Sequence, residues 1–157
     1  MAKQLRYSVY ERAPLGTECG YRGISLKNCK GVFKGLLNRG LCGLAGGELF
    51  QSAEDLTNLP ILALQQDLAS VCAHGLAHAE RNGHHYFRGL DHLPADEARA
   101  ALDAHPDLYR ELDPGVGVRI EDGRMRTGSL VCAGFGYDVA IEPPKRTPLA
   151  EWSYPED

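Results

Sequence analysis

The chain has 157 residues, of which 43% are hydrophobic and 24% are charged, and its formal net charge is −4. This hydrophobic share is ordinary for globular proteins, so we expect a packed core rather than a disordered chain. The acidic balance argues against a dedicated nucleic-acid-binding protein, because such proteins present a clustered basic face to the phosphates. The length suits one domain but is too short for a complete eightfold α/β barrel, which takes about 250 residues.

The sequence has no apolar run that approaches the roughly 20 residues needed to cross a bilayer. The N-terminal residues also lack the apolar core of a signal peptide, so we expect a cytoplasmic protein. The five cysteines agree with this, because they are odd in number, widely spaced and free of any C-x-x-C pair. We expect them to be reduced, mostly buried thiols.

The pattern divides the chain into a poorly defined N-terminal segment (1–19), a central part (20–136) and an irregular, proline-rich tail (137–157). Within the first segment, residues 3–10 alternate well enough to predict a short strand. The central part begins with strands and helices in alternation. In chain order these are a strand ending at residue 26, a helix from residue 32 that ends at the glycines 46–47, a strand at 48–52, a helix at 60–75 and a weaker strand at 76–81. Short connections of this kind predict adjacent parallel strands.

Beyond residue 82 the pattern changes to that of an α+β extension. A helix is predicted from Pro94 to Ala104, with proline at its start and acids in its first turn. Residues 116–126 predict a hairpin around Asp122-Gly123, a dipeptide suited to a type I′ turn.

All three strands of the central part end in polar clusters. Because the carboxyl ends of adjacent parallel strands meet at one edge of a sheet, we expect these clusters to surround a common cavity. The alternative is that they are solvated loop residues, since loops are polar in any case. The candidate site residues are Lys27 and Lys30 after the first strand, Glu54 and Asp55 after the second, and Glu80, Asn82, His84 and His85 after the third.

Lys27 and Lys30 are the candidate catalytic residues. A lysine that is packed and desolvated at the mouth of a barrel is suited to taking a proton from carbon. Lys30 falls beside Lys27 or on the next helix. The alternative for both is a solvated pair of lysines on a loop.

The acidic and histidine candidates would bind substrate. Glu54 and Asp55 have a second interpretation, because acids just before a helix stabilise its N-terminus by about 0.3–1 kcal/mol each. Of His84 and His85, one is expected to pack under the aromatic residues that follow and the other to reach a ligand. The spacing of His74 and His78 matches no zinc signature, and we expect no metal site in this chain.

Residues 24–31, Ile-Ser-Leu-Lys-Asn-Cys-Lys-Gly, resemble the sixth barrel strand of the enolase superfamily, closest to the muconate-cycloisomerase and dipeptide-epimerase type. Residues 52–55 and 80–86 look like the seventh and eighth strands of that barrel. The run from Gly20 to about Gly136, roughly three quarters of the chain, is similar to mandelate racemase/muconate-lactonizing-like proteins. The resemblance thus implies the last three strands of a TIM-like (β/α)7β barrel, followed by an α+β extension.

This resemblance also implies a capping domain, Mg²⁺ held by carboxylates of earlier strands, and abstraction of a proton alpha to a carboxylate. Lys27 then matches the general acid/base, and Glu54 or Asp55 matches a seventh-strand position. Glu80, Asn82, His84 and His85 match the eighth-strand residues that contact substrate. Within a complete barrel the partner would be a small carboxylate substrate, with no nucleic acid and no membrane.

The sequence departs from the family upstream of Gly20, where nothing supplies the metal carboxylates, the opposite lysine or the capping domain. About 20 residues cannot hold five strand–helix units. We therefore expect the C-terminal piece of such an enzyme, inactive alone, with a bare parallel edge at 24–27 that an oligomer or a complementing fragment would cover. The alternative is a small, non-catalytic α/β module that works through its surface.

Overall fold

The apolar spacing of the sequence produces a mixed α/β arrangement. The computed structural model describes residues 4–5, 19–54, 58–138 and 146–153. Its strands are β1 (Gln4–Leu5), β2 (Gly23–Leu26), β3 (Phe50–Ala53), β4 (Tyr109–Glu111) and β5 (Val116–Val118). Its helices are α1 (Val32–Leu44), α2 (Leu62–Ala73) and α3 (Ala95–Ala104), joined by 3-10 turns at Asn28–Lys30, Gly83–His85 and Gly128–Leu130.

The first three strands form one parallel sheet in the order β1-β2-β3. β2, α1 and β3 are a strand–helix–strand unit, and the parallel pairing expected for its two strands is confirmed. β1 lies within the strand predicted at 3–10, whose other residues fall outside the described part of the chain. The expectation of a bare edge at 24–27 is wrong for Ile24, because Leu5 pairs with it.

The strand predicted at 76–81 does not form. The chain turns at Gly75, whose φ is 63°, and the amide of Leu76 still bonds back to Val71. One backbone hydrogen bond, from the amide of Glu80 to the carbonyl of Ala53 at 3.2 Å, joins this segment to β3. Its alanines are weak strand formers, so the segment lies beside the end of β3 without extending the sheet.

The extension folds as an antiparallel hairpin packed against α3. The helix predicted at 94–104 is confirmed, and Asp122 and Gly123 both have positive φ, as the expected tight turn requires. The predicted hairpin partner is wrong, because β5 pairs with β4 instead. The turn between them closes with a 2.8 Å hydrogen bond from the amide of Leu112 to the carbonyl of Gly115.

Two apolar clusters meet on one face of α2. The larger joins α2 to α3 and the hairpin, and the smaller lies against the sheet. Leu64 and Leu68 belong to the larger cluster, and Val71 belongs to the smaller one with Leu26 and Ala53. These three α2 residues are spaced four and three apart, which places them on one side of the helix.

α1 forms where it was predicted, but most of its apolar side chains are exposed rather than buried. The exposed fractions are 84% for Phe33, 71% for Leu37 and 87% for Leu44. The helix approaches the sheet through Gly35, where a side-chain carbon would lie 2.5 Å from His74 Nε2 and 2.7 Å from Leu26 Cδ1. The spacing of the apolar residues therefore predicted that a helix forms here, whereas Gly35 determines which side of the helix packs against the sheet.

The cysteines differ from the expectation of mostly buried thiols. Cys42 is buried, whereas Cys19, Cys29 and Cys72 are exposed, because they lie on turns or on the outward side of a helix. Across the described ranges, the structure contains no helix with the length and apolar character needed to span a membrane.

Candidate functional site

The parallel register brings Lys27 and Glu54 together. Leu26 pairs with Ala53, so the residues that follow these two strand ends fall side by side. Lys27 Nζ donates a hydrogen bond to Glu54 Oε1 at 3.0 Å, and Ser25 Oγ donates to Glu54 Oε2 at 3.0 Å. Both carboxylate oxygens are therefore held in place by neighbouring side chains.

The ion pair is part of a longer polar row. Side chains alternate between the two faces of a strand, so Ser25 shares a face with Lys27, and Ser52 shares a face with Glu54. Ser25 also pairs with Ser52 in the register of the sheet. We call these four residues the polar edge. Leu26 and Ala53 lie between them in sequence and point into the smaller core.

A cavity of about 360 Å³ opens beside the polar edge. Its lining combines carboxylates, hydroxyls and one imidazole: Ser25, Ser52, Ala53, Glu54, His78, Ala79 and Glu80. Glu54 and Glu80 therefore share one cavity, although the segment that carries Glu80 is not a strand. Lys27 does not line the cavity, but it is hydrogen-bonded to Glu54, which does.

Three polar residues of the cavity lining, Ser25, Ser52 and His78, were not among the candidate site residues. Ser25 and Ser52 were detectable, because each lies two positions before a candidate residue on a strand and must share its face. His78 was considered only as a zinc ligand, and its position depends on the irregular path of the segment that replaces the predicted third strand.

The other candidates lie elsewhere or outside the description. Lys30 is exposed at the end of the 3-10 turn, and its backbone amide donates a hydrogen bond to the Lys27 carbonyl at 2.9 Å. Asp55 falls outside the described residues. Asn82 precedes the turn Gly83–His85, and His85 is its last residue. A 3.0 Å backbone hydrogen bond joins the two, and neither lines the cavity. The backbone of His84 belongs to the same turn.

The residues of this site do not fit a magnesium ion. Mg²⁺ requires several oxygen ligands in near-octahedral geometry, and both oxygens of Glu54 are engaged by Lys27 and Ser25. Across the described ranges, no group of three or more His, Cys, Asp and Glu side chains is arranged to hold a metal ion.

A second cluster of functional side chains lies in the extension. His105 Nδ1 is 3.0 Å from Ser129 Oγ, and that hydroxyl donates to Asp107 Oδ1. Ser129 lies between the other two, whereas a catalytic triad places histidine between serine and aspartate. The hydroxyl proton is therefore held by the carboxylate, and the cluster joins the end of α3 to the turn Gly128–Leu130.

Burial and hydrogen bonds together set the charge states of this cluster. It lowers the pKa of the His105 imidazole, because the charged ring would be poorly solvated, although Asp107 and Asp138 act in the opposite direction. Burial alone would raise the pKa of Asp107, but the hydrogen bonds from the Ser129 hydroxyl and amide outweigh it and lower that pKa. The favoured state is a neutral histidine beside an ionised aspartate.

Comparisons with protein-family models, curated proteins and solved structures give no match for this chain. The functional proposal therefore rests on the polar edge and its cavity.

Proposed function

We propose that this chain carries part of the proton-transfer site of an enolase-superfamily enzyme, with Lys27 as the acid/base that acts on the carbon next to a carboxylate. One observation carries the proposal. The Lys27–Glu54 pair lies where the carboxyl ends of two parallel strands meet, beside a cavity lined by Glu54 and Glu80. In parallel α/β folds this is the place where reacting groups collect.

The pair supplies a route for one proton. With Glu54 ionised, the Lys27 ammonium would donate a proton to a substrate carbanion that lies against the Lys27–Glu54 pair at the rim of the cavity, and would become a neutral amine. In the opposite direction, Lys27 first passes a proton to Glu54 Oε1 along their 3.0 Å hydrogen bond. The resulting amine then takes the substrate proton. Ser25 holds the other carboxylate oxygen and keeps Glu54 oriented during the transfer.

We infer further that β2, β3 and the segment 76–81 correspond to the last strand positions of a barrel. The order strand, helix, strand and the parallel register of β2 and β3 support this inference. In such an enzyme Mg²⁺ stabilises the enolate. Since the described residues do not fit this ion, its ligands would have to come from elsewhere, and we expect the chain alone to be inactive.

Binding of a small 2-hydroxy acid at Lys27 tests the proposal without requiring turnover. The chain has only five lysines, so the ¹⁵N signals of their ammonium groups can be resolved and assigned with Lys27→Arg. We expect lactate to shift the Lys27 signal saturably, because its carboxylate competes with Glu54 for the ammonium. Lys30→Arg should leave this shift unchanged.

Two results would count against the proposal. If lactate leaves the Lys27 signal unmoved, or if neutral lactamide shifts it equally, the site does not recognise a carboxylate. Activity is assayed separately, as deuterium exchange at the alpha carbon in heavy water with Mg²⁺. Exchange by the chain alone that Lys27→Ala abolishes would establish the lysine's role and overturn the expected inactivity.

A further inference from the structure

A second cavity, of about 190 Å³, lies between the residues before α2, the segment around Gly83 and the β4–β5 hairpin. Its lining shares no residue with the cavity at the polar edge. Most of its wall is apolar, formed by Leu64, Phe87, Leu112, Val118, Ile120 and Met125. A cavity of about 150 Å³ is enough to hold one benzene molecule, so this one has room for a single six-membered ring.

Two arginines also line this cavity, and they differ in their pairing. Arg81 Nη1 binds Asp67 Oδ2 at 2.8 Å, which largely compensates its charge. Arg110 has no carboxylate partner among the described residues, and no acid lines the cavity. An apolar wall with one uncompensated guanidinium is complementary to a small molecule that has an apolar body and a negative charge.

The hairpin register places a glycine opposite Arg110. Arg110 on β4 pairs with Gly117 on β5, and the Leu112 side chain packs against that glycine. A side-chain carbon at Gly117 would lie 2.7 Å from Leu112 Cδ1. Any larger residue at this position would therefore push Leu112 aside and narrow the cavity.

We propose that this cavity binds a small carboxylate with one aromatic or branched apolar group, anchored by Arg110. The planar guanidinium matches a carboxylate with two parallel hydrogen bonds, which Arg81 cannot offer while it holds Asp67. The proposal is independent of the function assigned to the polar edge, since neither Lys27 nor Glu54 lines this cavity.

Benzoate is the probe that fits both the volume and the charge. The chain has two methionines, and Met125 lines the cavity, so a ¹³C-methyl methionine spectrum gives a local reporter. We expect benzoate to shift the Met125 signal saturably through the ring current. Arg110 is exposed, so Arg110→Gln should weaken binding about two- to fivefold, as loss of a solvent-exposed ion pair does.

Two control variants and one neutral ligand, benzamide, make the result decisive. Arg126→Gln removes an exposed charge that does not line the cavity, and it should leave the affinity unchanged. Lys27→Arg should also leave it unchanged, which separates this site from the polar edge. The proposal is overturned if neutral benzamide binds as well as benzoate, if Arg110→Gln binds benzoate normally, or if millimolar benzoate leaves the Met125 signal unmoved.

Discussion

Buried titratable side chains make the stability of the extension depend on pH. The pKa of His105 is lowered in the folded chain from an ordinary value of 6.5. Below that value the unfolded chain binds a proton that the folded chain does not, so stability falls as the pH drops through 6.5. The lowered pKa of Asp107 adds a further loss below its ordinary value of 3.8.

Urea unfolding at about pH 7.5 and about pH 5.5 measures the histidine contribution. We expect the wild-type chain to lose stability at the lower pH. His105→Asn retains a hydrogen-bond donor toward Ser129 without a titrating ring, so its loss should be smaller. An equal loss in the two proteins would show that other groups cause the pH dependence.

The contacts of some site residues can be predicted from the sequence, and those of others cannot. Lys27 and Glu54 could be placed near each other because each follows a strand of a strand–helix–strand unit, and parallel pairing brings the two strand ends together. The contacts of His105, Ser129 and Asp107 could not be predicted, since Ser129 lies 24 and 22 positions along the chain from its two partners. Only the packing of the turn against α3 brings them within hydrogen-bond distance.

At the scale of elements, two glycines of α1 should respond oppositely to the same substitution. Gly35→Ala places a carbon 2.5 Å from His74 Nε2, and we expect it to cost about 1–3 kcal/mol of unfolding free energy. Gly40 has nothing within 4 Å of that position, so Gly40→Ala should stabilise the helix by about 0.5–1 kcal/mol. Denaturant unfolding of both variants measures the difference, and equal effects would mean that α1 does not contact the sheet through Gly35.

Helices were easier to predict here than strand pairing. α1 and α2 carry a sustained apolar period, and α3 has a proline before it and acids in its first turn; each signal specifies a helix without reference to the rest of the chain. Strands of three or four residues carry little such information. β5 could have paired with the segment before it or with the segment after it. The turn at Gly115 pairs it with β4, the segment before. The Asp122-Gly123 turn forms only an isolated bridge between Glu121 and Arg124.

For the molecule as a whole, the apolar side of α1 is exposed in the described part of the chain. Phe33, Leu37 and Leu44 recur at spacings of four and seven, so they form one exposed stripe. Stripes of this kind drive association in water. We expect the chain to self-associate with rising concentration in sedimentation velocity, and Leu37→Glu to reduce this association.

Leu149→Glu is the matched control, because Leu149 is 88% exposed but lies in the tail. It should sediment like the wild type. A concentration-independent monomer that unfolds cooperatively would contradict the expectation, and it would favour a small interaction module over a piece of a barrel.

The position of α2 between the two apolar clusters has a consequence for the polar edge. The inward face of α2 contributes residues to both clusters. Loss of either cluster would therefore expose part of this helix. Fraying of the small sheet on its own is opposed, since it would remove the contacts of Val71 with Leu26 and Ala53 and expose part of the helix that also packs against the extension. The geometry around Glu54 is thus maintained by residues far from it in sequence, and damage to the extension should loosen a site that it never touches.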